Sequence, residues 1–357
     1  MGLLLVLCVI AASESEARRT HISPEQHHQL SAIHTVYLST VLLSSHYRKI
    51  PVVIQKVVVE RLRDVGMNVV LNATHTHDVE IRVTCEEEKS ETPTTRYGGD
   101  AELAFGPDRL WLGAACRLGY RLKGQDLGWY QEVRTNSDQF PSVMKEEDRQ
   151  ARIVHDLAEE LKRFDFPVFL LSEWGQTDRL IALLRSSHTT LQRKQLILKE
   201  FRFLRDPKAE PVFLDLMGDN DLRELAIGAL AGLGTQAIPY LHGVFEDATY
   251  PASVRAAAAK GLGQVGLSTG DARTLEPLLK YLIQAVTEIQ DGTDIEFPVM
   301  GEVVWAVGQV HHDDTFQLIE DLQAKLWMIY DTSPEMRKLR ETVSVVYKYV
   351  DLRARIL

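Results

Sequence analysis

Apolar residues change their spacing along the chain, and each change predicts an element. Between Pro24 and about Ser45, in PEQHHQLSAIHTVYLSTVLLSS, Leu30, Ile33, Val36 or Tyr37, and Val41 recur at the spacing of one helical face. The pattern predicts a helix there. Pro51 then opens a second helix through VVIQKVVVERLRDVG, which Gly66 stops, because proline suits a first helical turn and glycine an end. From Val79 the period falls to two. Val79, Ile81, Val83 and Cys85 share one parity while Glu80, Arg82 and Thr84 share the other, as in a half-buried strand. After the polar link EEEKSETPTTRYGGD, the alternation returns in Leu112, Ala114, Cys116, Leu118, Tyr120 and Leu122. Gly124 to Asp126 supply a turn, and Trp129 to Val133 predict the partner strand. Helical spacing resumes near Lys145, with Ile153, Leu157 and Leu161 inward. Residues 24–165 are thus expected to form an α+β domain, with antiparallel strands between two opening helices and a closing one. Residues 165–178 read as a junction.

No strand period follows. Residues 222–234, LRELAIGALAGLG, and 254–266, VRAAAAKGLGQVG, share a size pattern without sharing letters. Positions four, eight and eleven beyond each start are apolar: Ile197, Phe201 and Leu204 after Arg193; Ala226, Leu230 and Leu233 after Leu222; Ala258, Leu262 and Val265 after Val254; Val303, Val307 and Val310 after Val299. A second helix recurs between them. It opens with Pro211, Pro239 or Pro277, followed by Phe213, Leu216 and Met217, by Leu241, Val244 and Phe245, or by Leu279, Leu282 and Ile283. Ala and Gly on an inward face let several helices approach closely, which stacked helical repeats of roughly 30 to 45 residues require. The strings DNDLRELAIGALAGLG and PASVRAAAAKGLGQVG, each feeding a proline-led helix, resemble HEAT repeats of the kind also found in phycobilin lyases. The resemblance covers about residues 178–357 and implies an all-α HEAT-like solenoid, whose Leu-Arg or Val-Arg helix lines a concave surface. It also implies that Arg223 and Arg255 bond acidic residues between repeats, with Asp219 and Asp247 as the acids. The family is a scaffold, so the resemblance speaks to fold more than to activity. Residues 24–165 carry no such resemblance.

The 357 residues are 45% hydrophobic and 25% charged, a globular composition long enough for two domains, with a net charge of −10. Without a basic tract, nucleic acid and anionic membrane surfaces are not expected partners. The opening MGLLLVLCVIAASESEARR has an apolar run from Leu3 to Ala12 followed by small and polar residues, the order of a secretory signal peptide over 1–17. Cleavage would follow Ser13 or Ala17, giving a periplasmic or secreted protein. No Lys or Arg precedes the run, and the alternative is a buried N-terminal strand in a cytoplasmic protein. The run is too short to span a bilayer, so no membrane span is expected in the mature chain. Cys8 would leave with the signal, and Cys85 and Cys116 are expected to pair in a disulfide, two buried free thiols being the alternative.

Motifs of catalysis are scarce. GLSTG at 266–270 has the letters of a hydrolase nucleophile elbow, yet it follows an Ala-rich helix where that chemistry needs a strand. His75 and His77 beside Asp78 lack a spaced third metal ligand. The pairs His27–His28 and His311–His312 suit helix ends or turns, Glu86 to Glu88 suit a solvated turn, and Trp111, Trp129 and Trp174 suit a core or hinge. A P-loop, a dinucleotide fingerprint, HExxH and a zinc-type cysteine set are absent. Nothing implies a cofactor or metal, and no catalytic residue is assigned. The expected function is a non-enzymatic scaffold or adaptor of the cell envelope that binds another protein on the concave face of the solenoid. A bilin-lyase-like enzyme or a small-ligand-binding envelope protein is the alternative. Arg193, Lys194, Glu224, Lys260 and Trp305 are the candidate contacts, with Lys260 and Trp305 both six beyond their repeat starts, Val254 and Val299. Trp305 could instead turn inward as core.

Overall fold

A computed structural model of the chain describes residues 22–43, 48–49, 51–91, 109–136, 146–310 and 314–356. The expected signal segment 1–17 and the His311–His312 pair lie outside the described residues. The chain divides into two compact units, Met1–Arg179 and Leu180–Leu357. The first unit therefore extends beyond the expected end at 165.

In the first unit the elements run α1 (Pro24–Ser31), β1 (Thr35–Leu43), β2 (Arg48–Lys49), α2 (Val52–Arg63), β3 (Asn68–Val70), β4 (Val79–Glu91), β5 (Arg109–Leu122), β6 (Gln125–Asn136), α3 (Glu146–Arg163) and α4 (Phe166–Glu173). The expected helix over 24–45 is corrected: it ends at Ser31, and Thr35–Leu43 is a strand. Val36, Leu38 and Thr40 point inward in alternation, and the β-branched and aromatic residues of TVYLSTVLL fit a pleated surface better than a helix. The sheet is also mixed where an antiparallel one was expected. Its order is β2-β1-β4-β5-β6, with β1 parallel to both β3 and β4 and the remaining pairs antiparallel. The Asp78 carboxylate accepts from the amides of His34 and Thr35 at 2.9 and 2.8 Å, which sets the start of β1 beside the start of β4.

One sheet face is core. Val79, Ile81, Val83 and Cys85 on β4 are buried, as are Ala114, Cys116, Leu118, Tyr120 and Leu122 on β5. Helices α2 and α3 pack against each other and the sheet, burying Ile54, Val58, Leu62, Ile153, Leu157 and Leu161. Cys85 lies opposite Cys116 across the β4–β5 ladder, and the two are joined by a disulfide. The opposite face carries Arg82 beside Glu80 and Arg117 over the Tyr130 ring.

Residues 165–178 are core where a junction was expected. FPVFLLSE is apolar up to its last two residues, and α4 buries Phe166, Val168, Leu170 and Leu171. Trp174 is wholly buried with its ring edge-on to Tyr120 at 5.6 Å. The Gln176 side chain donates to the carbonyls of Leu30 and Ile33 at 3.0 and 3.1 Å, docking this segment against the end of α1. Its helix start was hidden in sequence because a helix apolar along most of its length has no clear amphipathic period.

The second unit follows from α5 (Thr177–Arg185), which carries the boundary, through α6 (Leu191–Leu204), α7 (Glu210–Leu216), α8 (Arg223–Ala231), α9 (Ile238–Glu246), α10 (Ala252–Thr269), α11 (Glu276–Glu288), α12 (Phe297–Gln309), α13 (Thr315–Met328) and α14 (Pro334–Ile356). Helices α6, α8, α10, α12 and α14 pack each against the next in one row, and the alternate helices cover them. Among the twelve inward positions of the recurrent helix, ten are buried, and Leu204 and Leu233 are half-buried. The proline-led helices are α7, α9 and α11, with proline in the first turn each time. Ile283 is exposed while its neighbour Leu282 is buried. Aspartates open the loops: Asp206, Asp219, Asp247, Asp271, Asp291 and Asp331 each accept from the amide two residues on, turns that stop one helix and aim the next.

Candidate functional site

A groove of about 700 Å³ in the second unit crosses α8, α10, α12 and α14. Its lining repeats from helix to helix. Ser253, Ala256, Ala257 and Lys260 of α10 stand one before and two, three and six beyond Val254; Pro298, Gly301, Glu302 and Trp305 of α12 stand in the same places around Val299. Helical residues three and four apart share a face, so each helix presents one strip. Glu224 closes the α8 end, while Glu335, Lys338, Leu339 and Thr342 of α14 form the other.

Glu224, Lys260 and Trp305, three of the expected contacts, meet in this lining. Lys260 Nζ lies 3.7 Å from Glu302. Trp305 is half-buried, and its groove-lining position answers neither to a fully solvated surface nor to a core residue. Arg193 and Lys194, in the first turn of α6, are half-buried and do not line the groove. The contribution of α14 was missed because it carries no Ala-Gly string; its inward residues are Met336, Leu339, Val343, Val346 and Val350. Their spacing was the signal available.

Small residues hold the groove-forming row together. A Cβ on Gly263 would lie 2.8 Å from the Ala306 Cα, and one on Gly266 would lie 2.8 Å from the Val310 side chain, so α10 and α12 touch nearly backbone to backbone. Gly301 differs. A Cβ there would meet nothing within 4 Å, because this glycine faces the open groove.

Arginines fix the helix ends. Arg223 Nε donates to the Met217 carbonyl at 2.6 Å and Arg255 Nε to the Phe245 carbonyl at 3.0 Å. Arg340 donates to the carbonyls of Leu326, Ile329 and Asp331, and Arg353 to those of Gln309 and Val310. A guanidinium at a helix C-terminus satisfies orphan carbonyls and opposes the negative dipole end. The expected acids are corrected accordingly: Arg255 bridges Glu296 at 2.5 Å, while Asp219 and Asp247 accept from the Asp221 and Thr249 amides. The Asp247 carboxyl is held below its ordinary range mainly by Thr249, with Arg255 the weakest contributor. These aspartates are turn formers because their short side chains reach their own backbone first.

Other candidates are structural. Ser268 of GLSTG sits in the last turn of α10, its hydroxyl donating to the Val265 carbonyl at 3.2 Å, and a helix rather than a strand precedes it. His77 Nδ1 lies 2.8 Å from the His75 carbonyl and its ring packs near Tyr37. Among the described residues no group of three His, Cys, Asp or Glu is placed to hold a metal ion, and no helix is long and apolar enough to cross a membrane. Tyr120 donates to Glu173 at 3.2 Å, and burial followed by that carboxylate pushes its phenol far above the ordinary range; it stays neutral and braces α4 on the sheet. Three of the five expected contacts, Glu224, Lys260 and Trp305, line the groove. Comparison of the chain with models of known families, with characterised proteins and with solved structures finds no match.

Proposed function

We propose that the protein is a non-enzymatic scaffold or adaptor that captures a segment of another protein in the groove across α8, α10, α12 and α14. The carrying observation is the repeated lining: the same helical positions of α10 and α12 face one trough containing Glu224, Lys260 and Trp305. A repeated strip with an aromatic side chain and a charged rim has the composition of binding hot spots. The two rows of helices support reading 178–357 as a HEAT-like solenoid, with the groove as its concave face. The buried Cys85–Cys116 bond supports an exported, periplasmic or extracellular location, where disulfides persist.

Gly301→Leu tests the groove without disturbing the core, since the new side chain enters open space and leucine favours a helix over glycine. The unfolding midpoint should hold or rise, while capture of a protein partner from extract should weaken by at least about tenfold. Unchanged capture by the folded variant would place binding elsewhere.

A further inference from the structure

Helix α14 carries two seams. Its buried residues Met336, Leu339, Val343, Val346 and Val350 step three, four, three and four along the chain, and the helix packs against α12 and α13. The opposite side repeats the rhythm. Lys338, Glu341, Val345, Lys348 and Leu352 take the same steps, and all are exposed except the half-buried Val345. A stripe of this period is the seam along which two helices pair side by side. Each of α8, α10 and α12 packs between two neighbours of the row, whereas on this side of α14 no described element stands. Stacked repeats need a polar outer face where they meet water. Here Leu352 is 59% exposed, and Trp327, Met328 and Tyr330 are 64, 83 and 100% exposed. Trp327 lies with its ring 5.4 Å from the Arg340 guanidinium, which sets that cluster beside the N-terminal half of α14.

The charges on the stripe select its occupant. Parallel pairing with a second copy would set Lys338, Glu341 and Lys348 each against itself, like charge on like. Antiparallel pairing about a two-fold axis at Val345 sets Glu341 against Lys348 of the copy, twice, because the two stand four before and three after the axis. Val345 then meets itself, and Leu352 meets the aliphatic stem of Lys338. Every opposed pair is oppositely charged or apolar. Among the described residues neither Glu341 nor Lys348 has an ion-pair partner within the chain. The same rotation brings Leu352 of the copy to the N-terminal half of α14, where Trp327, Met328 and Tyr330 stand. Their burial extends a helix pair toward the roughly 1,200 Å² of a stable interface.

We infer that the outer face of α14 binds a second copy of this chain, helix against antiparallel helix, in a two-fold symmetric dimer. The inference stands apart from the groove reading, since neither Glu341 nor Lys348 lines the groove. Sedimentation equilibrium of the full chain, of Glu341→Lys, of Lys348→Glu and of the two combined tests it. The unsubstituted chain should sediment with twice the mass of one chain. Either single reversal turns both Glu341–Lys348 pairs into like-charge contacts and should weaken the dimer by at least about tenfold. The combined reversal restores both pairs with exchanged signs and should recover most of that loss. Both positions are exposed, and unchanged unfolding midpoints would show that the fold is kept. Val345→Cys, on the axis, should form a disulfide between copies on oxidation. A chain that is monomeric at about 0.1 mM, a dimer indifferent to the single reversals, or one not recovered by the combined reversal overturns the inference. So does a monomer that binds vesicles of anionic lipid through Trp327, which would make the face a membrane contact.

Discussion

Gly263→Ala should lower the unfolding free energy by about 1–3 kcal/mol, while Gly301→Ala should raise it by up to about 1 kcal/mol. Both glycines lie within helices of the same row, and alanine is the better helix former at both by about 1 kcal/mol. Their neighbours differ. At position 263 the added carbon would lie 2.5 Å from the Ala306 Cβ and 2.8 Å from its Cα, and backbone cannot yield without separating α10 from α12. At position 301 it would meet nothing within 4 Å. Chemical denaturation of the two variants gives the sign of each change. Stabilisation by both would mean that the two helices are not in close contact at Gly263.

This contrast marks how far the sequence reaches. Ala and Gly in VRAAAAKGLGQVG announced crowding because size pattern survives when identity does not, and the inward face of α10 follows it, with Ala258, Leu262 and Val265 buried. The strands of the hairpin were equally legible, since one polar face keeps the period of two clean. What was hidden lacked a period or had a misleading one. Leu30, Ile33, Val36 and Val41 mimic a helical face across the turn at Ala32, where α1 gives way to β1. Strand direction is set by long-range pairing: β1 runs parallel to β4 through the register of Val36 with Val79, which local spacing does not encode. Of the groove, Lys260 and Trp305 were legible from their equivalent positions. The α14 side was harder to read, because its residues keep the spacing around Met336 without an Ala-Gly string.

Removing the Cys85–Cys116 bond should have the largest effect on the first unit. The bond spans 31 residues, and the chain-entropy relation for a loop of that size gives about 3–4 kcal/mol of stabilisation. Both cysteines are fully buried on the core face of the sheet, so a thiol reductant should act only once denaturant has opened the unit. The Cys85→Ala/Cys116→Ala double variant should unfold at lower denaturant by the corresponding amount, and oxidised protein unfolded without reductant should expose neither thiol to alkylation. Two alkylatable thiols at these positions would remove the bond and, with it, the support for an oxidising compartment.

The groove is the centre of the account, and a photoreactive benzophenone side chain tests it most directly. Placed at Thr342 it would line the groove; placed at Ile283 it would stand exposed on α11, outside the groove lining. On illumination in the presence of the captured protein, a partner bound across α10, α12 and α14 should crosslink to position 342 and not to 283. Labelling from 283 alone, or equal labelling from both, would contradict it.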